Sequence, residues 1–210
     1  MRFVFALPVS VAVLLMSSPA FASRCADVEP RELTLYLVNR AKLATSAETI
    51  LTTEVTRIWQ SAGVAVQWRP APSGESQTVS AGVYIIVVPE AQGLLSDLNG
   101  AGEGLAVIRF SNGIAHRHIY VSVGATTRII SRGSVRPPLD KVPVRLAQQR
   151  LARALGRAAA HEVGHYLANS PEHAPRGLMR ASHRSSDLID PDLRPFRVEL
   201  PIDESGSCRK

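Results

Sequence analysis

Long apolar runs, cysteines and one-signed charge blocks are all scarce in this sequence, and each scarcity excludes something. The longest apolar stretch, Phe3 to Met16, is fourteen residues, short of the roughly 20 that a bilayer-crossing helix needs. The two cysteines, Cys25 and Cys208, are too few for a disulfide-dense scaffold. The 24 basic and 18 acidic residues leave a formal net charge of +6 that is spread along the chain. Arg150, Arg153 and Arg157 recur at helical spacing and read as one solvated helix face, so nucleic acid is not an expected partner. No internal repeat is present. A chain of 210 residues that is 45% hydrophobic and 20% charged is neither disordered nor long enough for two comfortable domains.

What is present begins with a leader. Arg2, the apolar stretch and the small-x-small triplet Ala20-Phe21-Ala22 read as a secretory signal peptide over residues 1–22. The rest, residues 23–210, is expected to be a single domain, released to a periplasm or outside the cell as a monomer without membrane association. Arg24 occupies a position where lipoprotein processing wants a small residue, so Cys25 is not an expected lipid anchor. In an oxidising compartment a Cys25–Cys208 disulfide tying the termini is the first reading.

Hydrophobic periodicity predicts a strand over Glu32 to Asn39. An amphipathic helix follows, capped at Thr45 or Ser46, carrying Ile50, Leu51, Val55, Ile58 and Trp59 and stopping at Gly63. Further strands are expected at Val64 to Trp68, Gly82 to Val88, Leu105 to Phe110 and Ile119 to Val123. The nearly continuous apolar run of Gly82 to Val88 marks a central strand. Pro70 to Ser80 reads as loop, and Asn112-Gly113 as a hairpin turn. The glycine-rich Asn99 to Gly104 lacks the strand-then-helix setting of a nucleotide loop. After Pro137-Pro138 a long helix is predicted from about Val144 to Leu167, and the closing stretch is proline-rich. The fold class is α+β, a mixed twisted sheet with two long helices, the second of which carries the motif below.

His161-Glu162-Val163-Gly164-His165 is an H-E-x-x-H motif. On a helix, four residues advance about 400°, so both imidazoles stand on one side, one turn apart, and can chelate one ion, for which zinc is best suited. Glu162 projects about 100° away, where its carboxylate can reach a water on the ion and act as general base. Asn169 can adopt the left-handed conformation that ends a helix, and Pro171 opposes its continuation. His173 follows in the loop as a third ligand, with Glu172, His183 and Asp187 as competitors for that role. His116 and His118 share a strand face but read as ordinary polar residues.

The motif, with His173 and Gly177-Leu178-Met179 beyond it, resembles the metzincin clan of zinc endopeptidases, whose signature is H-E-x-x-H-x-x-G-x-x-H followed by a methionine-containing turn. The resemblance implies a metzincin-like catalytic domain. His161, His165 and His173 would bind one zinc ion, Glu162 would activate the water on it, and Met179 would form the Met-turn. The specific likeness spans residues 161–179, with the matrixin-like branch nearest. Two positions depart from the signature: Ala168 stands at its glycine, and Pro171 at its third histidine, so that His173 comes two residues late.

The resemblance further implies that peptide binds in extended form along an edge strand, here Gly104 to Phe110. It also suggests a latency switch at Arg24-Cys25 as an alternative to the disulfide. The implied function is a secreted zinc endopeptidase. The alternatives are a secreted binding protein or inhibitor on a degenerate peptidase fold, and a zinc hydrolase acting on other amides or esters.

Overall fold

The computed structural model describes residues 31–71, 82–90, 104–133 and 137–198. The leader, Cys25, Cys208, most of the Pro70 to Ser80 loop and most of the Asn99 to Gly104 segment lie outside them. No helix among the described residues is long and apolar enough to cross a membrane.

Five strands form one mixed sheet: β1 (Arg31–Asn39), β2 (Val64–Arg69), β3 (Val83–Val88), β4 (Ala106–Ser111) and β5 (Ile114–Ser122). Their order is β2-β1-β3-β5-β4, so β3 is central, as its apolar run predicts. The first four are parallel, while β4 runs antiparallel to β5 at the edge. The β4–β5 hairpin turns through Asn112 and Gly113, both at positive φ (52° and 75°), the conformation a two-residue hairpin with right-handed strand twist demands.

Two long helices, α1 (Thr45–Gln60) and α3 (Val144–Ala168), lie against one sheet face. Alternate residues of the central strands, Leu33 and Leu35, Val83, Ile85 and Val87, Ile119 and Val121, are buried against Leu51, Val55 and Ile58 of α1 and Leu155, Ala159 and Val163 of α3. The helices approach closely at Gly156, where a Cβ would come within 2.8 Å of both the Leu51 carbonyl oxygen and Glu54 Cβ. The Trp59 indole donates to the Ala160 carbonyl at 3.2 Å, one residue before the motif. On the opposite sheet face Tyr36, Tyr84 and His118 stack in a row, with ring centroids 4.9 and 5.2 Å apart.

Several expectations need correction. The α1 N-cap is Ala44, and neither Thr45 nor Ser46 caps with its side chain. Strand β5 begins at Ile114, directly after the turn, and ends at Ser122. A helix unanticipated from the sequence, α2 (Val123–Arg132), follows at once, its first turn capped by the Ser122 hydroxyl accepting from the Ala125 amide at 3.1 Å. A short helix α4 (Ser185–Ile189) and a 3-10 turn at Arg194–Phe196 give the closing stretch more order than its prolines suggest.

The last concerns the arginines. Arg157 is 1% exposed, because the Glu54 carboxylate on α1 accepts from its Nε at 3.2 Å. Its other nitrogens donate to the carbonyls of Asp187 and Asp192, and its guanidinium lies 4.5 Å from the Phe196 ring centroid. Arg153 joins the same carboxylate at 3.3 Å. Burying a guanidinium is tolerable only with every donor used, and here the arginines pin the closing stretch onto the helix pair.

Candidate metal centre

Helix α3 presents His161 and His165 one turn apart, and the chain beyond its end returns His173 to them. One potential ligand atom from each of the three lies within 4.8 Å of the others. The two helical imidazoles are fixed by carbonyls: His161 Nδ1 lies 2.8 Å from Leu178 O, and His165 Nδ1 lies 2.8 Å from Ser170 O. A carbonyl only accepts, so each Nδ1 carries the hydrogen and each neutral ring turns a bare Nε2 lone pair inward.

Those two Nε2 atoms are 3.1 Å apart. Two lone pairs at that separation repel unless a cation lies between them. Ligands on a tetrahedral zinc at the usual Zn–N length would sit about 3.3 Å apart, so the donor set fits such an ion. Burial pushes the His161 imidazole down to about 4, helped by the neighbouring histidines and opposed by its bond to Leu178. It lowers His165 likewise. Both rings are therefore neutral across the physiological range, as metal coordination would require.

Glu162 leaves α3 towards the sheet edge. Its Oε2 accepts the backbone N–H of Ile108 on β4 at 3.0 Å, where the β4–β5 register shifts between Ile108 and Phe110. Burial raises its carboxyl from 4.5 to about 7, against the opposing effect of that hydrogen bond. It is a desolvated base held by one donor and tuned near neutral pH, the range in which general-base catalysis is efficient.

Beneath the motif, Met179 packs so closely against Gly164 that a Cβ there would overlap its sulfur. The turn carrying Met179 is itself fixed, since Leu178 N donates to Arg197 O at 2.9 Å. At the helix end Asn169 takes the left-handed conformation (φ 45°, ψ 43°). Its side chain accepts from Ala115 N at 2.8 Å and donates to Gly113 O at 3.1 Å, locking the helix to the β4–β5 hairpin.

The competing residues stand elsewhere. His183 donates from Nε2 to the same Leu178 carbonyl at 3.1 Å and stacks on Phe196 at 4.6 Å. Glu172 and Asp187 are not in the cluster. His116 bonds Ser111 at 2.6 Å on the exposed side of β5, and among the described residues His161, His165 and His173 form the one group placed to hold an ion.

Sequence reasoning missed the Ile108 amide, which is backbone and leaves no trace in residue type. It placed Met179 in a turn beneath the motif but not its direct contact with Gly164, for which an interior helix glycine is the available signal.

No protein-family model and no curated protein matches the chain. Among solved structures, archaemetzincin from Methanopyrus kandleri is similar to it at 17% sequence identity and a TM-score of 0.42, over 75% of this chain and 85% of that one.

Proposed function

We propose that this protein is a zinc-dependent endopeptidase, exported by way of the residue 1–22 leader and acting on peptides in extended conformation. The observation that carries the reading is the pair of neutral imidazoles with bare Nε2 atoms 3.1 Å apart, with His173 beside them and a desolvated glutamate one residue from the first. His161, His165 and His173 would hold the ion, and the Gly177-Leu178-Met179 turn favours a matrixin-like branch of the metzincins. A bound zinc ion supplies the positive charge that polarises a scissile carbonyl and acidifies water.

The chain's own residues do the rest. Ile108 N–H holds one oxygen of Glu162 and leaves the other to take the proton of the attacking water and pass it to the departing amine. Strand β4, antiparallel and at the sheet edge, offers its free side to an extended substrate. A binding protein on the same scaffold would have no use for Glu162.

The test is digestion of a complex peptide mixture by zinc-loaded protein, with Glu162→Ala in parallel. New termini that require both Glu162 and the metal support the reading. An intact mixture, although both proteins bind one zinc, overturns it in favour of a binding role.

A further inference from the structure

The pocket beside the triad has a volume of about 220 Å³ and reaches from His161 and Glu162 past Leu105, Ile129 and Leu188 to Arg180. A cavity of about 150 Å³ with apolar walls already holds benzene, so a side chain or a chain terminus fits. The walls are mostly apolar, and their charges are unevenly matched. Arg157 lines the pocket but is spent on Glu54 and two carbonyls. The one carboxylate in the lining, Glu162, is engaged with Ile108 N–H. Arg180 is half-buried and forms no ion pair among the described residues.

We propose that Arg180 makes this pocket a carboxylate-recognition subsite, so that preferred ligands carry an acidic side chain or a free C-terminal carboxylate next to the reacting bond. The inference rests on the peptidase reading above. A guanidinium deprived of part of its water by apolar walls, with no ion-pair partner among the described residues, gains most from a planar carboxylate that it can grip with two parallel N–H bonds. A lysine or arginine side chain in the same pocket meets like charge and is rejected.

The experiment measures equilibrium binding of fluorescent peptides to the full-length Glu162→Gln protein, which cannot turn them over, with zinc and again with a chelator. One pair of end-capped peptides differs only in an internal Glu or Gln; a second pair differs only in a free or amidated C-terminus. The expected result is about tenfold tighter binding of the acidic member of one pair, persisting without metal. The pair that shows it identifies the carboxylate's source. Arg180→Gln should abolish the ratio and Arg180→Glu should favour a Lys peptide instead. Equal affinities within both pairs, a ratio that vanishes with the chelator, or one that survives Arg180→Gln overturns the inference. Failure to cleave any peptide would instead remove the peptidase reading, leaving these binding ratios still decisive.

Discussion

Replacing Glu162 by Gln should stabilise the metal-free protein at alkaline pH, by an amount that follows from the burial of the carboxylate. In the folded chain Glu162 keeps its proton up to about pH 7, against 4.5 for an ordinary glutamate. Between these values the folded state binds more protons than the unfolded one, so stability falls as pH rises through that window and stays lower above it. The displacement corresponds to about 3 kcal/mol.

His161 acts in the opposite sense. Its ordinary value of 6.5 drops to about 4 on folding, so the unfolded chain binds the extra proton and stability rises with pH over that range. In the wild type the two slopes largely cancel between about pH 4.5 and 6.5. Glutamine keeps an acceptor for Ile108 N–H but cannot ionise, so only the histidine slope remains. Urea unfolding in the presence of a chelator should give nearly equal stabilities at pH 4, and a Glu162→Gln protein more stable by up to about 3 kcal/mol at pH 8. A difference that is the same at both pH values would refute the burial argument.

Glu54→Ala should cost about 3 to 5 kcal/mol in thermal or urea unfolding, because it strands the Arg157 guanidinium in the core with Arg153 beside it; a loss under about 1 kcal/mol would mean that Arg157 reaches water. Asn169→Ala should cost about 2 to 3 kcal/mol, combining a strained left-handed backbone with two lost bonds to the hairpin. Asn169→Gly should recover only the backbone part, and a negligible cost for Asn169→Gly would show that the side-chain tie to Gly113 and Ala115 contributes nothing.

What was legible in the sequence was whatever repeats with a period. The alternation of Glu32 to Asn39, the three-and-four spacing of α1 and the Asn-Gly turn are all local signals, and the structure follows them. Helix α2 was not legible, because Val123, Thr126, Thr127, Ile129 and Ile130 are β-branched and prefer strands on their own. Burial of Ala125, Thr126 and Ile130 against the rest of the fold overrides that preference. Arg157 misled for a related reason: its spacing with Arg150 and Arg153 suits a surface stripe, and only the approach of Glu54, 103 residues away in sequence, makes burial affordable. A clue was there in its immediate neighbours, since Ala154, Leu155, Gly156, Ala158, Ala159 and Ala160 leave a lone charge in small apolar company.

The third histidine shows why motif spacing is a consequence of the local backbone. In the metzincin signature a glycine follows three residues after the second histidine, at the position of Ala168. Here α3 continues through Ala168, and the left-handed residue is Asn169, one step later, where an asparagine can adopt positive φ. Ser170 then accepts from His165 Nδ1, so the residue that begins the return also orients the second imidazole of the motif. Pro171 occupies the position of the expected histidine. The return is fixed at its far end by Ala174 N donating to Met179 O at 2.8 Å and by the Ala174–Arg180 bridge. With Ala174 tied to the methionine turn, the residue before it is delivered to the open side of His161 and His165, whose rings lie 5.3 and 4.9 Å from that of His173. The position of the third imidazole is thus set from the turn backwards as much as from the helix forwards.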